Sequence, residues 1–178
     1  TGHGIIGKHN LSKHNLTFRE TSVLLNSRLK LDGSMNLMRQ VVKNKPTVGG
    51  FYMNPLVGLY RFPRGEDIAY YKENFEVYDE GRNLNIQNWH TSYEDFEQNP
   101  YWITNRILSK ENRMHVIVSL SANLKINDWL SLQARGNVDY INDKVRQQFY
   151  ASTAPALAGA NGRYIEMDYQ ETQYYGDA

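Results

Sequence analysis

The stretch VIVSLSANLKINDWLSLQARGNVDY, Val116–Tyr140, decides the fold of this chain. Ahead of the Asn127-Asp128 pair, Val116, Val118, Leu120, Ala122, Leu124 and Ile126 share one parity, against Ser119, Ser121, Asn123 and Lys125. Beyond it, Leu130, Leu132, Ala134, Gly136, Val138 and Tyr140 oppose Ser131, Gln133, Arg135, Asn137 and Asp139. A period of two held this long predicts antiparallel strands with one apolar and one wet face. Soluble strands usually run about 5–6 residues, whereas a tilted membrane-spanning strand needs about 9–11. Leu130 to Tyr140 covers roughly 33 Å of strand and about 23 Å of height at a tilt near 45°, close to the apolar band of an outer-membrane barrel.

Upstream lies a second alternating run, with Leu29, Leu31, Gly33, Met35, Leu37 and Val41 on one parity and Lys30, Asp32, Ser34, Asn36 and Gln40 on the other. Arg39 interrupts the apolar side near its far end, where a long cationic side chain reaches the interface at low cost. Asn15–Leu24 reads as a weaker strand joined through Asn26-Ser27. The predicted order is strand 14–24, turn, strand 28–42, long loop 43–112, strand 113–126, turn, strand 129–149, loop and strand 163–175. An up-and-down arrangement of these elements puts both short turns at one end and the long connections at the other. Outer-membrane barrels show the same asymmetry, with short periplasmic turns and longer extracellular loops.

A connection of this length is too long to be structureless. Its punctuation (Lys45-Pro46, Gly49-Gly50, Asn54-Pro55, Pro63-Arg64-Gly65, Asn99-Pro100) implies ordered turns with packed rings. We therefore expect a folded extracellular loop.

Composition narrows the function classes. The 178 residues carry a net charge of +1 and no cysteine, so nothing favours nucleic-acid binding, a disulfide framework or a thiol nucleophile. No run approaches the ~18 apolar residues of a membrane helix, a test to which β-barrels are blind. The 13 tyrosines suit membrane-interface girdles or a sugar- or peptide-binding surface. The chain opens on Thr1-Gly2 and stops just after the strand-like Arg163–Tyr175, which suggests an internal piece of a longer protein.

Several short motifs recur in an order that carries a resemblance. They are Lys43-Asn44-Lys45-Pro46, Gly49-Gly50-Phe51-Tyr52, Asn54-Pro55-Leu56 and Gly58-Leu59-Tyr60-Arg61-Phe62-Pro63-Arg64-Gly65. Tyr78-Asp79-Glu80, Gln87-Asn88-Trp89 and Asn99-Pro100-Tyr101-Trp102 with Asn105-Arg106 follow, then Asp128-Trp129-Leu130-Ser131-Leu132 and Tyr150-Ala151-Ser152-Thr153. Taken together the chain resembles the SusC/RagA family of TonB-dependent outer-membrane transporters. That resemblance implies an all-β fold: about five antiparallel strands of a larger, 22-stranded up-and-down transmembrane β-barrel in the outer membrane of a Gram-negative bacterium. Residues 1–178 would be a partial barrel domain without the plug. It further implies import of oligosaccharides or peptides, a SusD-like surface lipoprotein as lid, energy from the TonB system through the plug, contact with membrane lipid, and no cofactor.

Trp89, Tyr93, Phe96, Tyr101 and Trp102 form the densest aromatic group. Flat rings stack on sugars or peptide side chains, and equally well form a loop's own small core. Trp89, Tyr93, Tyr101, Trp102 and Arg106 are the candidate ligand-binding residues. Arg61, Arg64 and Arg106 either pair with loop carboxylates or face ligand. Asn-Pro-Tyr-Trp reads as a turn that fixes loop geometry.

Other motifs carry less. Gly2-His3-Gly4-Ile5-Ile6-Gly7 matches a dinucleotide fingerprint by letter but lacks the preceding strand and following helix, and reads as a loop entering a strand. His3, His9 and His14 lack the spacing of a metal site. Glu94, Asp95 and Glu97 would need a fixed separation across a sugar to act as a glycosidase pair, and a solvated loop is the simpler account. No catalytic or metal-binding residue is assigned. The alternative reading is a soluble all-β carbohydrate-binding module, which predicts ordinary strands closing a core within the chain.

Overall fold

The computed structural model describes residues 1–4, 6–45, 52–91 and 97–178. Strand accounts for 56% and helix for 14% of the described residues, so the chain is all-β. The elements are β1 (Gly2–His3), β2 (Asn10–Leu24), β3 (Leu29–Lys43), α1 (Pro55–Arg61), α2 (Ile68–Glu73), β4 (Glu76–Asp79), β5 (Leu84–Gln87), α3 (Pro100–Arg106), β6 (Ile107–Lys125), β7 (Ser131–Phe149), α4 (Pro155–Ala158) and β8 (Arg163–Asp177). A six-stranded sheet runs β1-β2-β3-β6-β7-β8, and β4 and β5 form a separate hairpin.

The five long strands are those expected, with shifted ends. Strand β6 starts at Ile107 rather than 113, because α3 runs straight into it with Ile107 as its C-cap. The described residues of the insertion between β3 and β6 form three helices and the β4–β5 hairpin, so they are folded as the length of the connection demanded. Gly2–His3 pairs with Asn10 and Leu11 at the start of β2.

Backbone bonds fix the register. Between β3 and β6, the Asn44 N–H donates to Ser109 O (2.8 Å) at one end and the Lys125 N–H to Arg28 O (2.7 Å) at the other. Between β6 and β7, Tyr150 N–H donates to Arg106 O (3.2 Å) and Ile126 N–H to Leu130 O (3.0 Å). Each pair is therefore antiparallel and free of net slippage, so the apolar parities of neighbouring strands share a face.

The chain divides into two compact units. One comprises residues 12–41, 112–144 and 167–178, the middle and turn-proximal parts of the long strands. Its apolar parity carries Leu16, Phe18, Leu24, Met35, Val118, Leu120, Ile126, Leu130, Leu132, Val138 and Tyr174, all exposed. Its wet parity carries cross-strand pairs: Arg19–Asp32 (2.9 Å), Arg113–Asp143 (2.6 Å), His115–Asp139 (2.7 Å) and Arg135–Asp177 (2.6 Å). Pairs this open to water fix geometry more than they stabilise. The turn between β6 and β7 is set by its asparagine, Asn127, whose Oδ1 accepts from Trp129 N (3.1 Å) and Leu130 N (2.9 Å). The turn after β2 is costlier, since Leu25, Asn26 and Ser27 all take positive φ (56°, 52° and 68°) and only Asn does so readily.

The other unit comprises residues 1–11, 42–111 and 145–166. Its core is Ile103, Ile107, Phe149 and Ala158, with Met53, Leu157 and Ile165 packed against it. No helix among the described residues is long and apolar enough to cross a membrane.

Candidate functional site

Two Asn-Pro pairs organise the inserted segment. Asn54 caps α1, its Oδ1 accepting from Leu56 N (3.0 Å), and Asn99 caps α3, accepting from Tyr101 N (2.8 Å). In each case proline occupies the first helical turn, where its missing N–H costs nothing. Asn-Pro-Tyr-Trp thus starts a helix rather than making a turn. The helices meet at Gly58, where an added Cβ would sit 2.7 Å from Gln98 O and 3.2 Å from Pro100 Cδ.

Asn99 is fully buried and uses every polar group it has. Besides the cap, its N–H donates to Gln87 Oε1 (2.8 Å), and its Nδ2 donates to Tyr71 O (3.0 Å) and Asn88 O (2.7 Å). Gln87 passes the network on, donating from N to Ser152 Oγ (3.0 Å) and from Nε2 to Ser152 O (3.1 Å). Gln98 accepts from Ala154 N (2.8 Å) and donates to Tyr52 O. The Trp102 indole, 1% exposed, donates to Thr153 Oγ1 (3.1 Å). Buried polar groups satisfied this completely specify one arrangement of the chain.

A second cluster is aromatic. Trp89 lies 5.2 Å from both Phe62 and Tyr71 and 4.8 Å from His90, ring centre to ring centre. Beside it Glu97, 3% exposed, stands 2.8 Å from His90 Nε2 and 3.1 Å from Arg61 Nε. Tyr71 donates its hydroxyl to Glu66 (2.9 Å), and that bond raises its pKa above the ordinary phenol value.

Arg106 grips Glu76 with both arms, Nε to Oε2 at 2.7 Å and a terminal nitrogen to Oε1 at 2.6 Å. Its guanidinium also lies over the rings of Tyr150 (5.1 Å) and Phe75 (5.7 Å). The hydrogen bond from Arg106 holds the Glu76 carboxyl below the usual carboxylate range, against a smaller opposing effect of burial.

The five candidate ligand residues therefore separate. Trp102 and Arg106 come together on a hollow of about 270 Å³, with Glu76, Asn85 and Tyr150 on its other walls. Trp89 sits apart, covered by its aromatic neighbours. Tyr101 is half-buried, and its carbonyl accepts from Thr104 and Asn105 side chains. Tyr93 lies outside the described residues, as do Phe96, Glu94 and Asp95. Of the three arginines, Arg61 and Arg106 pair with loop carboxylates.

Sequence reasoning missed two features. One is a hollow of about 360 Å³ walled by Met53, Pro55, Ile103, Ile107 and Phe149, with Lys45, Glu111 and Gln147 at polar positions. The other is a set of exposed tyrosines, Tyr60 (86%), Tyr78 (60%) and Tyr70 (51%), whose side chains stand open to solvent. Among the described residues no group of three or more histidine, aspartate or glutamate side chains is placed to hold a metal ion. Compared with protein-family models and with curated proteins, the chain matches none.

Proposed function

We propose that this chain is a section of the barrel wall, with one folded extracellular loop, of a TonB-energised outer-membrane importer that works with a SusD-like lipoprotein on oligosaccharides or peptides. One observation supports this reading above all. In the unit built of residues 12–41, 112–144 and 167–178, all of them described, no large apolar side chain is buried, while one face of its strands exposes Leu120 at 60%, Phe18 at 57% and Leu132 at 53%. A soluble sandwich or carbohydrate-binding module needs that face covered by its own chain. A barrel wall needs it bare, because lipid covers it.

In this reading the Asn26-Ser27 and Asn127-Asp128 turns are periplasmic and the insertion between β3 and β6 is extracellular. The wall holds position, and cargo contact falls to the insertion, through the hollow beside Trp102 and Arg106 and the open tyrosine rings. Trp89 serves packing. The chain carries no reaction of its own.

Nitroxide labels at Leu132, Val138 and, as a wet-face control, Gln133 test the wall in reconstituted bilayers. We expect oxygen to relax the first two and a water-soluble nickel chelate to relax only the third. Equal access of the chelate to all three sites would sink the membrane assignment.

A further inference from the structure

The hollow of about 360 Å³ lies wholly within the unit that holds the insertion, and its size falls in the range of small-ligand sites. The register that pairs Arg106 with Tyr150 sets Ile107 opposite Phe149 and Ser109 opposite Gln147. These four line the hollow together with Glu111, two residues beyond Ser109 on the same parity of β6. The floor therefore grades along the strands from apolar through neutral polar to acidic. Met53, Pro55 and Ile103 add further apolar surface.

Two charged side chains reach the hollow, Glu111 and Lys45. Glu111 is half-buried and Lys45 exposed, and no ion pair holds either of them among the described residues. Gln147 lies diagonal to Glu111 across the β6–β7 ladder, and diagonal neighbours sit about 7–8 Å apart, within reach of one guest for side chains this long. An ammonium between them would gain a charge-assisted bond to the Glu111 carboxylate and a second acceptor in the Gln147 carbonyl. Lys45 offers the complementary charge to a carboxylate.

Length narrows the guest. From Ile107 to Glu111 is about 13 Å of strand. An extended peptide covers about 3.3–3.6 Å per residue, so about three or four residues match the floor. We propose that the hollow binds a short free peptide with apolar side chains, its ammonium on Glu111 and Gln147, its side chains over Ile107 and Phe149, and its carboxylate on Lys45. A neutral oligosaccharide would leave both charges unanswered and set hydroxyls against an apolar floor that offers them no partner. That the peptide is cargo rests on the importer reading, which it narrows from two substrate classes to one. That it binds rests on this unit alone.

The test is isothermal titration calorimetry of the intact chain with trileucine, and with maltotriose as the sugar. Glu111→Gln should weaken trileucine binding about tenfold, the effect of losing one charged hydrogen bond. N-acetyl-trileucine should bind the unaltered chain as weakly, and Glu111→Gln should then cost nothing further. Trileucine amide should behave in the same way against Lys45→Gln, with a smaller loss because that ammonium is open to water. The blocked peptides leave the protein unchanged, so a misfolded variant cannot mimic the result. N-acetylation without effect overturns the proposal, as does equal affinity for maltotriose or no binding of trileucine at millimolar concentration. The nitroxide at Val138 separates the two readings. No binding while that label sits in lipid overturns this inference alone, whereas trileucine bound while it sits in water overturns the importer reading and leaves the peptide site standing.

Discussion

The two units solve the same problem, covering apolar surface, in opposite ways. The unit containing the insertion buries Trp102 to 1% and Asn99 fully, and links distant segments through Gln87 and Ser152. The unit of strand middles buries none of its large apolar residues and leaves Leu120 60% exposed. The first carries the interior of a small protein. The second has long hydrogen-bonded strands without a buried large apolar side chain, and on the membrane reading proposed above lipid covers its apolar face. The contrast teaches that one chain can hold a body with a buried polar network beside long strands whose apolar face its own residues leave open.

The largest effect should come from truncating the anchor of the first unit. Trp102→Ala removes a fully buried indole and strands the Thr153 hydroxyl, a loss of about 3–5 kcal/mol. Amide exchange of α3 should accelerate accordingly, and equally in detergent and in bilayers. Dependence on the surrounding lipid would mean that the insertion, too, leans on the membrane, and the contrast would fail.

Leu120→Arg probes the second unit. If the proposed wall faces lipid, an arginine at Leu120 should cost about 2–4 kcal/mol, whereas Ser121→Arg on the wet parity should cost well under half of that. Urea titrations of the reconstituted chain would read the difference. Near-equal losses at the two positions would show that the parities do not face different solvents.

How much of this could be read from the residues alone follows from the same contrast. The strands were legible because apolar and polar residues alternate at every second position, from Leu29 to Val41 and from Val116 to Tyr140. The start of β6 was not, since Ile107-Leu108-Ser109-Lys110-Glu111-Asn112 alternates poorly: its odd parity packs into a local core at Ile107 while its even parity carries Lys110. Helices α1 and α2, of 7 and 6 residues, are too short for a helical period to emerge. Asn54-Pro55 and Asn99-Pro100 were visible as punctuation, and a cap followed by proline was the available signal for a helix start. The Gln87–Asn99–Ser152 network joins residues far apart in sequence, and nothing local to any of them announces the others. The aromatic group was visible, but whether a ring packs or faces ligand depends on neighbours such as Phe62 and Thr153 that adjacency does not reveal.

A third change tests whether the network, rather than the apolar core, holds the insertion in one form. Asn99→Ala removes the cap of α3 and leaves the carbonyls of Tyr71 and Asn88 without their donor. The cap is worth ~1 kcal/mol and each buried unmet acceptor about as much again, so a loss of about 2–3 kcal/mol is expected. Asn99→Asp keeps the capping oxygen but not the donor, and should fall between the two. If Asn99→Ala costs nothing measurable, the apolar cluster around Ile103 carries the insertion by itself.

The smallest effect is a pH dependence confined to the first unit. Glu76 titrates below its ordinary range because Arg106 donates two hydrogen bonds to its carboxylate. A carboxyl whose folded pKa is lowered contributes stability that is complete above the unfolded value, about 4.3, and lost as pH falls through the folded one. Arg106 stays charged throughout, so protonation of Glu76 removes the attraction and leaves a cation against Phe75 and Tyr150. With both side chains partly open to water (29% and 19% exposed), the contribution should be about 1 kcal/mol. Exchange protection of β4 and β5 should thus hold from neutral pH to about 5 and decline below about 4. Glu76→Gln should lower protection at neutral pH and flatten the decline, while the protection of β7 near Leu132 follows neither change. A β7 response that tracks Glu76 would mean the two units titrate as one, and the division between a self-sufficient loop body and a lipid-dependent wall would have to be abandoned.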